Sequence, residues 1–161
     1  MNQPGNFVIR VYGLILNDKM EVLITDEFQL GTKMTKFPGG GLEFGEGTVD
    51  CLVREIAEEC NGQKLKNIVH FYTTVFFQKA LFYENSQLIS IYYLAETDGN
   101  ICFTVSEKPF GFSNMENGQQ SFRWVKINEL NDTEFTFPID KIVALKLKKG
   151  SQSSCLFNET G

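Results

Sequence analysis

The chain has 161 residues, 42% hydrophobic and 13% aromatic, with a formal net charge of −5. That length suits one domain around one core, and the acidic balance argues against a nucleic-acid polymer as partner, since such binding rests on phosphate neutralisation by Lys and Arg. No apolar run approaches the length of a membrane span, and the first residues lack the basic and apolar parts of a secretory signal, so a cytoplasmic protein is expected.

From the N-terminus, "NFVIRVYGLIL" is rich in β-branched and aromatic residues and reads as a strand. "EVLIT" follows the turn-forming pair Asn17-Asp18, so the two runs form an expected hairpin. "GTKMTKFPGGGLEFGEG" is punctuated by glycine and proline and reads as an irregular loop holding short extended pieces. From Thr48 the period changes: Val49, Val53, Ile56 and Cys60 recur at helical spacing, with Arg54, Glu55, Glu58 and Glu59 on the other side. Thr48 is the expected N-cap and Asn61-Gly62 the expected stop.

Two strands, "NIVHFYTTVFFQ" and "QLISIYYLAE", come next, separated by "KALFYENS". Asp98 to Gln120 reads as loop around the short run "ICFTV"; "SFRWVKI" is another strand and "FPIDKIVALKLKK" a second helix, opened by Pro138 in its first turn. The order of strands, helix, strands and helix predicts an α/β (α+β) fold, a mixed sheet between helices in an α/β/α sandwich. A single domain is expected over residues 1–149, with the polar, Ser-rich residues 150–161 as a flexible tail.

The four cysteines are scattered without a CxxC pair and read as free, mostly buried thiols. The one histidine, His70, lies in an apolar run with no nucleophile elbow, and reads as a core or sheet-face residue.

The unusual chemistry is in "GGGLEFGEGTVDCLVREIAEECNG". Glu55, Glu58 and Glu59 fall on one helical sector, where like charges repel and weaken the helix. A divalent cation turns that repulsion into a site, because Mg²⁺ is held by carboxylates, water and phosphate oxygens. The glycines upstream supply backbone that can approach closely, with carbonyls for a metal or amides for phosphate. Each part has an ordinary explanation: a Glu-rich face is usually solvated, Arg54 to Glu58 is a common helical pair, and three glycines are commonly a turn. Their joint spacing favours a cation-and-phosphate site.

That spacing resembles the Nudix box. Gly40, five residues, Glu46, seven residues, then Arg54-Glu55-Ile56, one residue and Glu58-Glu59 all match, while Asn61 stands at the box's glycine and Gly62 at its last aliphatic position. Asn is the commonest non-glycine choice for a left-handed cap, so the first departure leaves the helix end intact. "KFPGGG", "FRWVKINEL" and "TFPIDKIVALKL" extend the resemblance outside the box.

The resemblance implies the family's sandwich and a hydrolase that cleaves the pyrophosphate linkage of a nucleoside diphosphate joined to another group, by attack of water on phosphorus with Mg²⁺ or Mn²⁺. It assigns Glu55, Glu58 and Glu59 to the metal, with the Gly40 carbonyl. Arg54 orients the carboxylates, and Glu46 is structural or a secondary ligand. Members often add an acidic residue ahead of the late strand as base or ligand; Glu116 is the candidate here, with Glu107 behind it, and both read equally well as solvated loop charges. Phe37, Tyr92, Phe122, Phe137 and Asp140 are candidates for a base-binding pocket, although aromatic residues in such segments more often build core, and Asp140 also suits a helix's first turn. The partner implied is a small phosphorylated nucleotide-type molecule, with ADP-ribose and nucleotide sugars in the same range. The alternative is a non-catalytic, ligand-binding or regulatory member. "FYTTVFF" and "ISIYYLA" offer either core or the face of a homodimer.

Overall fold

The computed structural model describes residues 4–153, which carry seven strands and two α-helices. They form two compact units: the residues up to Ile15 with Pro38–Phe103, and Leu16–Phe37 with the residues from Thr104 onward.

In the first unit, β1 (Asn6–Leu16, its last residue belonging to the second unit) neighbours β6 (Ser86–Asp98), and β6 pairs antiparallel with β5 (Lys64–Thr73). The glycine triplet is itself a short strand, β4 (Gly39–Gly41), antiparallel to β1 with Arg10 opposite Gly41, Val11 opposite Gly40 and Tyr12 opposite Gly39. Gly39 has φ +147°, and a β-carbon there would run into the Val11 carbonyl, so the close approach of β4 to β1 requires glycine. β5 ends at Thr73, short of the expected strand. The Thr74 hydroxyl accepts the Ser90 N–H at 3.0 Å, a side chain taking a backbone place in the ladder, and Val75 and Phe77 beyond it are exposed. His70 is an exposed sheet-face residue, its ring edge-on to Tyr93.

Helix α1 (Thr48–Glu59) buries Ile56 and Cys60 of the expected stripe but not its two valines. Cys51, Leu52, Ile56 and Cys60 are fully buried, whereas Val49 and Val53 are exposed. Gly47, not Thr48, is the N-cap, and the Asp50 carboxylate accepts the Gly47 N–H at 3.2 Å. The helix stops as expected: Asn61 and Gly62 have φ +52° and +81°, and the Gly62 N–H reaches the Ala57 carbonyl at 2.8 Å.

In the second unit, the Leu16–Val22 pair closes the hairpin whose turn is set by Asn17; its side-chain oxygen accepts the N–H groups of Lys19 and Glu21, both at 3.0 Å. β2 (Glu21–Gln29) is longer than expected because it pairs on both sides, with β3 (Thr32–Lys36) and with β7 (Gln119–Lys126). "ICFTV" contributes a single parallel bridge, Val105 to Phe122. Two single-turn 3₁₀ helices, Ile127–Glu129 and Asp132–Glu134, lead to α2 (Pro138–Gln152), which buries Ile139, Val143 and Leu147. α2 continues through Gly150 to Gln152, beyond the expected start of the tail; residues 154–161 of that tail lie outside the described residues.

Cys51 and Cys60 are buried free thiols, Cys102 is an exposed one, and Cys155 lies outside the described residues.

Candidate functional site

The burial of α1 explains why its carboxylates are not simply solvated. At about 100° per residue, Glu55 and Glu59 fall between Cys51, Leu52 and Ile56 on the helical wheel, so the inward arc itself carries two acids. Glu55 keeps 15% side-chain exposure and Glu59 is half-buried, whereas Glu58 is 61% exposed. A charge so placed needs a counter-charge or a ligand.

Gly40 makes room for one of these acids. A β-carbon at position 40 would overlap the Glu55 carboxylate, so that carboxylate lies against the backbone of β4, where only glycine is accommodated.

Arg54 supplies the counter-charge. Its Nε and one terminal nitrogen donate to Glu46 at 3.0 and 2.6 Å, a two-pronged pair; the other terminal nitrogen donates to Glu55 at 3.0 Å and Glu58 at 3.5 Å. The nitrogen paired with Glu46 also donates to the Gly41 carbonyl at 3.0 Å, tying α1 to β4, and Glu43 stands 3.8 Å from the other terminal nitrogen. One guanidinium thus serves four carboxylates, leaving the cluster strongly anionic.

The hydrogen bond from Arg54, reinforced by the Glu43 N–H, holds the Glu46 carboxyl down to about 2. The same pairing with Glu46, ahead of that with Glu55, pushes the guanidinium further up. Burial pushes the Cys51 and Cys60 thiols up to about 12, which makes both inert packing residues rather than nucleophiles.

Gly40, Glu46, Arg54, Glu55 and Glu58 are therefore brought together, with Glu59 on the same helix. Gly41 and Glu43 were not singled out from the sequence; the signal for Glu43 was its position three residues before Glu46, inside the same box. Of the remaining candidates, Tyr92 belongs to the first unit, with this cluster, and the others belong to the second. Phe37 is fully buried with its ring 4.6 Å from Phe135, a core position of the second unit that leaves no surface for a ligand. Asp140 is 2% exposed in the first turn of α2. Glu116 is an exposed residue of the second unit whose carbonyl accepts the Gln119 N–H at 3.1 Å, closing the turn into β7. Glu107 is exposed in the same loop-rich stretch. Tyr92 is buried in the first unit, stacked on Tyr12, and Phe122 is buried in the second. Phe137 is the N-cap of α2.

The donor chemistry fits a hard divalent cation: carboxylate oxygens in excess over cationic groups, with the Glu55 carboxylate resting against the Gly40 backbone. Among the described residues no three His, Cys, Asp or Glu side chains are gathered into a metal cluster. Glu55 and Glu58 point instead at Arg54.

The NUDIX domain model matches residues 6–146. A solved structure described as MutT from Aliivibrio salmonicida and Vibrio cholerae is 24% identical, with 89% of this chain and 98% of that chain covered and a TM-score of 0.62. A NUDIX hydrolase from Nitrosomonas europaea is 17% identical over 92% and 90% of the two chains with a TM-score of 0.63. A MutT NUDIX hydrolase from Burkholderia pseudomallei is 16% identical over 88% and 98%, also at 0.63. These likenesses show the fold to be the α/β/α sandwich with a mixed sheet that the sequence led us to expect. No match is found among curated protein sequences.

Proposed function

This chain belongs to the Nudix hydrolase family and is a Nudix pyrophosphohydrolase, and from that premise we propose a Mg²⁺-dependent enzyme cleaving the pyrophosphate linkage of a nucleoside diphosphate joined to a further group. The substrate class is a nucleotide, ADP-ribose or a nucleotide sugar, attacked by water at phosphorus. The observation that carries this reading is the Arg54 cluster, in which one guanidinium holds Glu46, Glu55 and Glu58 around a backbone cleared by Gly40.

Glu55, Glu58, Glu59 and the Gly40 carbonyl would hold the cation. A Mg²⁺ or Mn²⁺ ion held by these residues would supply charge neutralisation at the phosphoryl oxygens and a lowered pKa for a bound water. Arg54 fixes the carboxylates in place through charge-assisted hydrogen bonds, and Glu46, saturated by Arg54 and the Glu43 N–H, anchors Arg54 rather than the substrate. Glu116 is proposed as the base or an added ligand, whereas Asp140, 2% exposed, serves the first turn of α2 rather than the substrate. We take residues 1–149 as one Nudix domain, because the family match spans parts of both units. Among the described residues no helix is long and apolar enough to cross a membrane, in keeping with a cytoplasmic role.

The test is phosphate-product release from a panel of nucleoside triphosphates, oxidised nucleotides, ADP-ribose and nucleotide sugars. One class is expected to turn over with Mg²⁺, to stop in EDTA and to stop with Glu59→Gln. Turnover indifferent to EDTA would overturn the metal-dependent reading.

A further inference from the structure

The cluster just described poses an electrostatic problem for its own substrate. Arg54 is shared among four carboxylates, and a pyrophosphate brought to them is itself polyanionic. Another cation of the first unit is placed to meet it. Arg10 lies on β1 directly opposite Gly41, one position from the pair between Val11 and Gly40, the residue against which the Glu55 carboxylate rests.

Arg10 is half-buried, and its environment is unusual for a structural arginine. Its Nε donates to the Tyr12 hydroxyl at 2.8 Å and its guanidinium carbon stands 5.7 Å from the centre of the Tyr12 ring. Tyr12 is fixed in turn by stacking on Tyr92, with ring centres 5.2 Å apart. Among the described residues Arg10 makes no ion pair, and its two terminal nitrogens make no hydrogen bond. Burial acts against its charge, yet the Tyr12 contact and the negative field of Glu55 hold the guanidinium's pKa up. A guanidinium braced along its Nε edge presents its remaining N–H fork as a unit, the geometry that matches two oxygens of one phosphate.

We propose that Arg10 is a substrate-binding residue that takes a phosphate of the diphosphate group through its terminal nitrogens, with Tyr12 as the positioning residue that aims it. The proposal rests on the hydrolase reading for the identity of the ligand, but not for the existence of the anion site. A permanent positive charge beside Gly41 lets a polyanion approach carboxylates that would otherwise repel it.

The test is calorimetric binding of a methylene-bridged, non-hydrolysable nucleoside diphosphate in Mg²⁺ to the full chain, compared among wild type, Arg10→Gln, Arg10→Lys and Tyr12→Phe. A charge-assisted pair is worth roughly ten- to a hundredfold in affinity, so Arg10→Gln weakens binding by about that factor, Arg10→Lys recovers part, and Tyr12→Phe loses less than Arg10→Gln. In turnover the Arg10→Gln loss appears in KM more than in kcat, and the thermal unfolding midpoint stays near wild type. Binding of Arg10→Gln equal to wild type, or no binding by wild type, would overturn the proposal. The two readings fail separately: analogue binding that depends on Arg10 without turnover sinks the hydrolase, and turnover with Arg10→Gln unaffected in KM sinks only this assignment.

Discussion

Two ion-pair hubs in this molecule are near mirror images. In the first unit, one cation, Arg54, faces Glu43, Glu46, Glu55 and Glu58. In the second, one anion, Asp26, faces a surplus of donors: the Thr35 hydroxyl at 2.8 Å, the Phe110 N–H at 3.2 Å, and Arg123 at 2.8 and 3.4 Å. Asp26 is fully buried and Arg123 only 11% exposed, whereas Arg54 and Glu58 reach solvent. The Asp26 hub is complete, as buried charges in a stable core must be. The Arg54 hub carries more negative charge than its one cation offsets, an imbalance that a bound cation would relieve.

Substitutions should separate the hubs by what they damage. The largest effect is on activity: Glu59→Gln is expected to lower kcat/KM on the order of a thousandfold, the scale of losing a carboxylate engaged in the chemistry, with folding little changed. Steady-state kinetics beside a melting curve check it, and a mutant within a fewfold of wild type would remove Glu59 from the site. At the other hub the loss is in stability. Arg123→Ala leaves Asp26 buried and unpaired, at a cost of about 3–5 kcal/mol by denaturant unfolding. Gly40→Ala tests the cleared backbone, because its methyl group displaces the Glu55 carboxylate. Activity should fall roughly ten- to a hundredfold while unfolding changes far less.

A pH titration sharpens the contrast. The Glu46 carboxyl is held at about 2, below the ordinary carboxylate range near 4, so its pairing with Arg54 stabilises the fold fully above that range and is lost as pH falls through about 2. Melting temperature should therefore decline between about pH 4 and 2, and Glu46→Gln should flatten that decline. The smallest effect is expected from Asn61→Gly. Glycine accepts φ +52° more readily, but the bond from the Asn61 amide to the Cys102 carbonyl at 2.8 Å is lost, so stability changes by less than about 1 kcal/mol and activity not at all.

The same contrast explains what the sequence revealed. The Arg54 hub was legible because its members lie on one helix and the loop before it, at spacings that report which side chains share a face. The box also survived an error about burial. Val49 and Val53 were expected inside, but the helix turns Cys51, Leu52 and Ile56 inward and carries Glu55 and Glu59 with them. Hydropathy gave no reason to place acids on the buried arc. The Asp26 hub was illegible: Asp26 and Arg123 are 97 residues apart, and an acid in "ITDEFQ" reads as the end of a strand. It is a strand interior only because β3 and β7 pair on both sides and Arg123 arrives with β7. Arg10 escaped notice for a related reason, since its placement opposite Gly41 depends on three glycines forming a strand where the composition suggested a loop.

The measurement that bears most directly on the central claim is a Mg²⁺ titration of product release by wild type and Arg54→Lys on whichever substrate the panel identifies. Lysine keeps the charge but cannot reach Glu46, Glu55 and Glu58 together in a planar fork. If Arg54 arranges the carboxylates for the cation, the variant needs more Mg²⁺ for half-maximal rate and loses roughly ten- to a hundredfold in kcat/KM at low Mg²⁺. Superimposable titrations for the two proteins would contradict the account and reduce Arg54 to a surface ion pair.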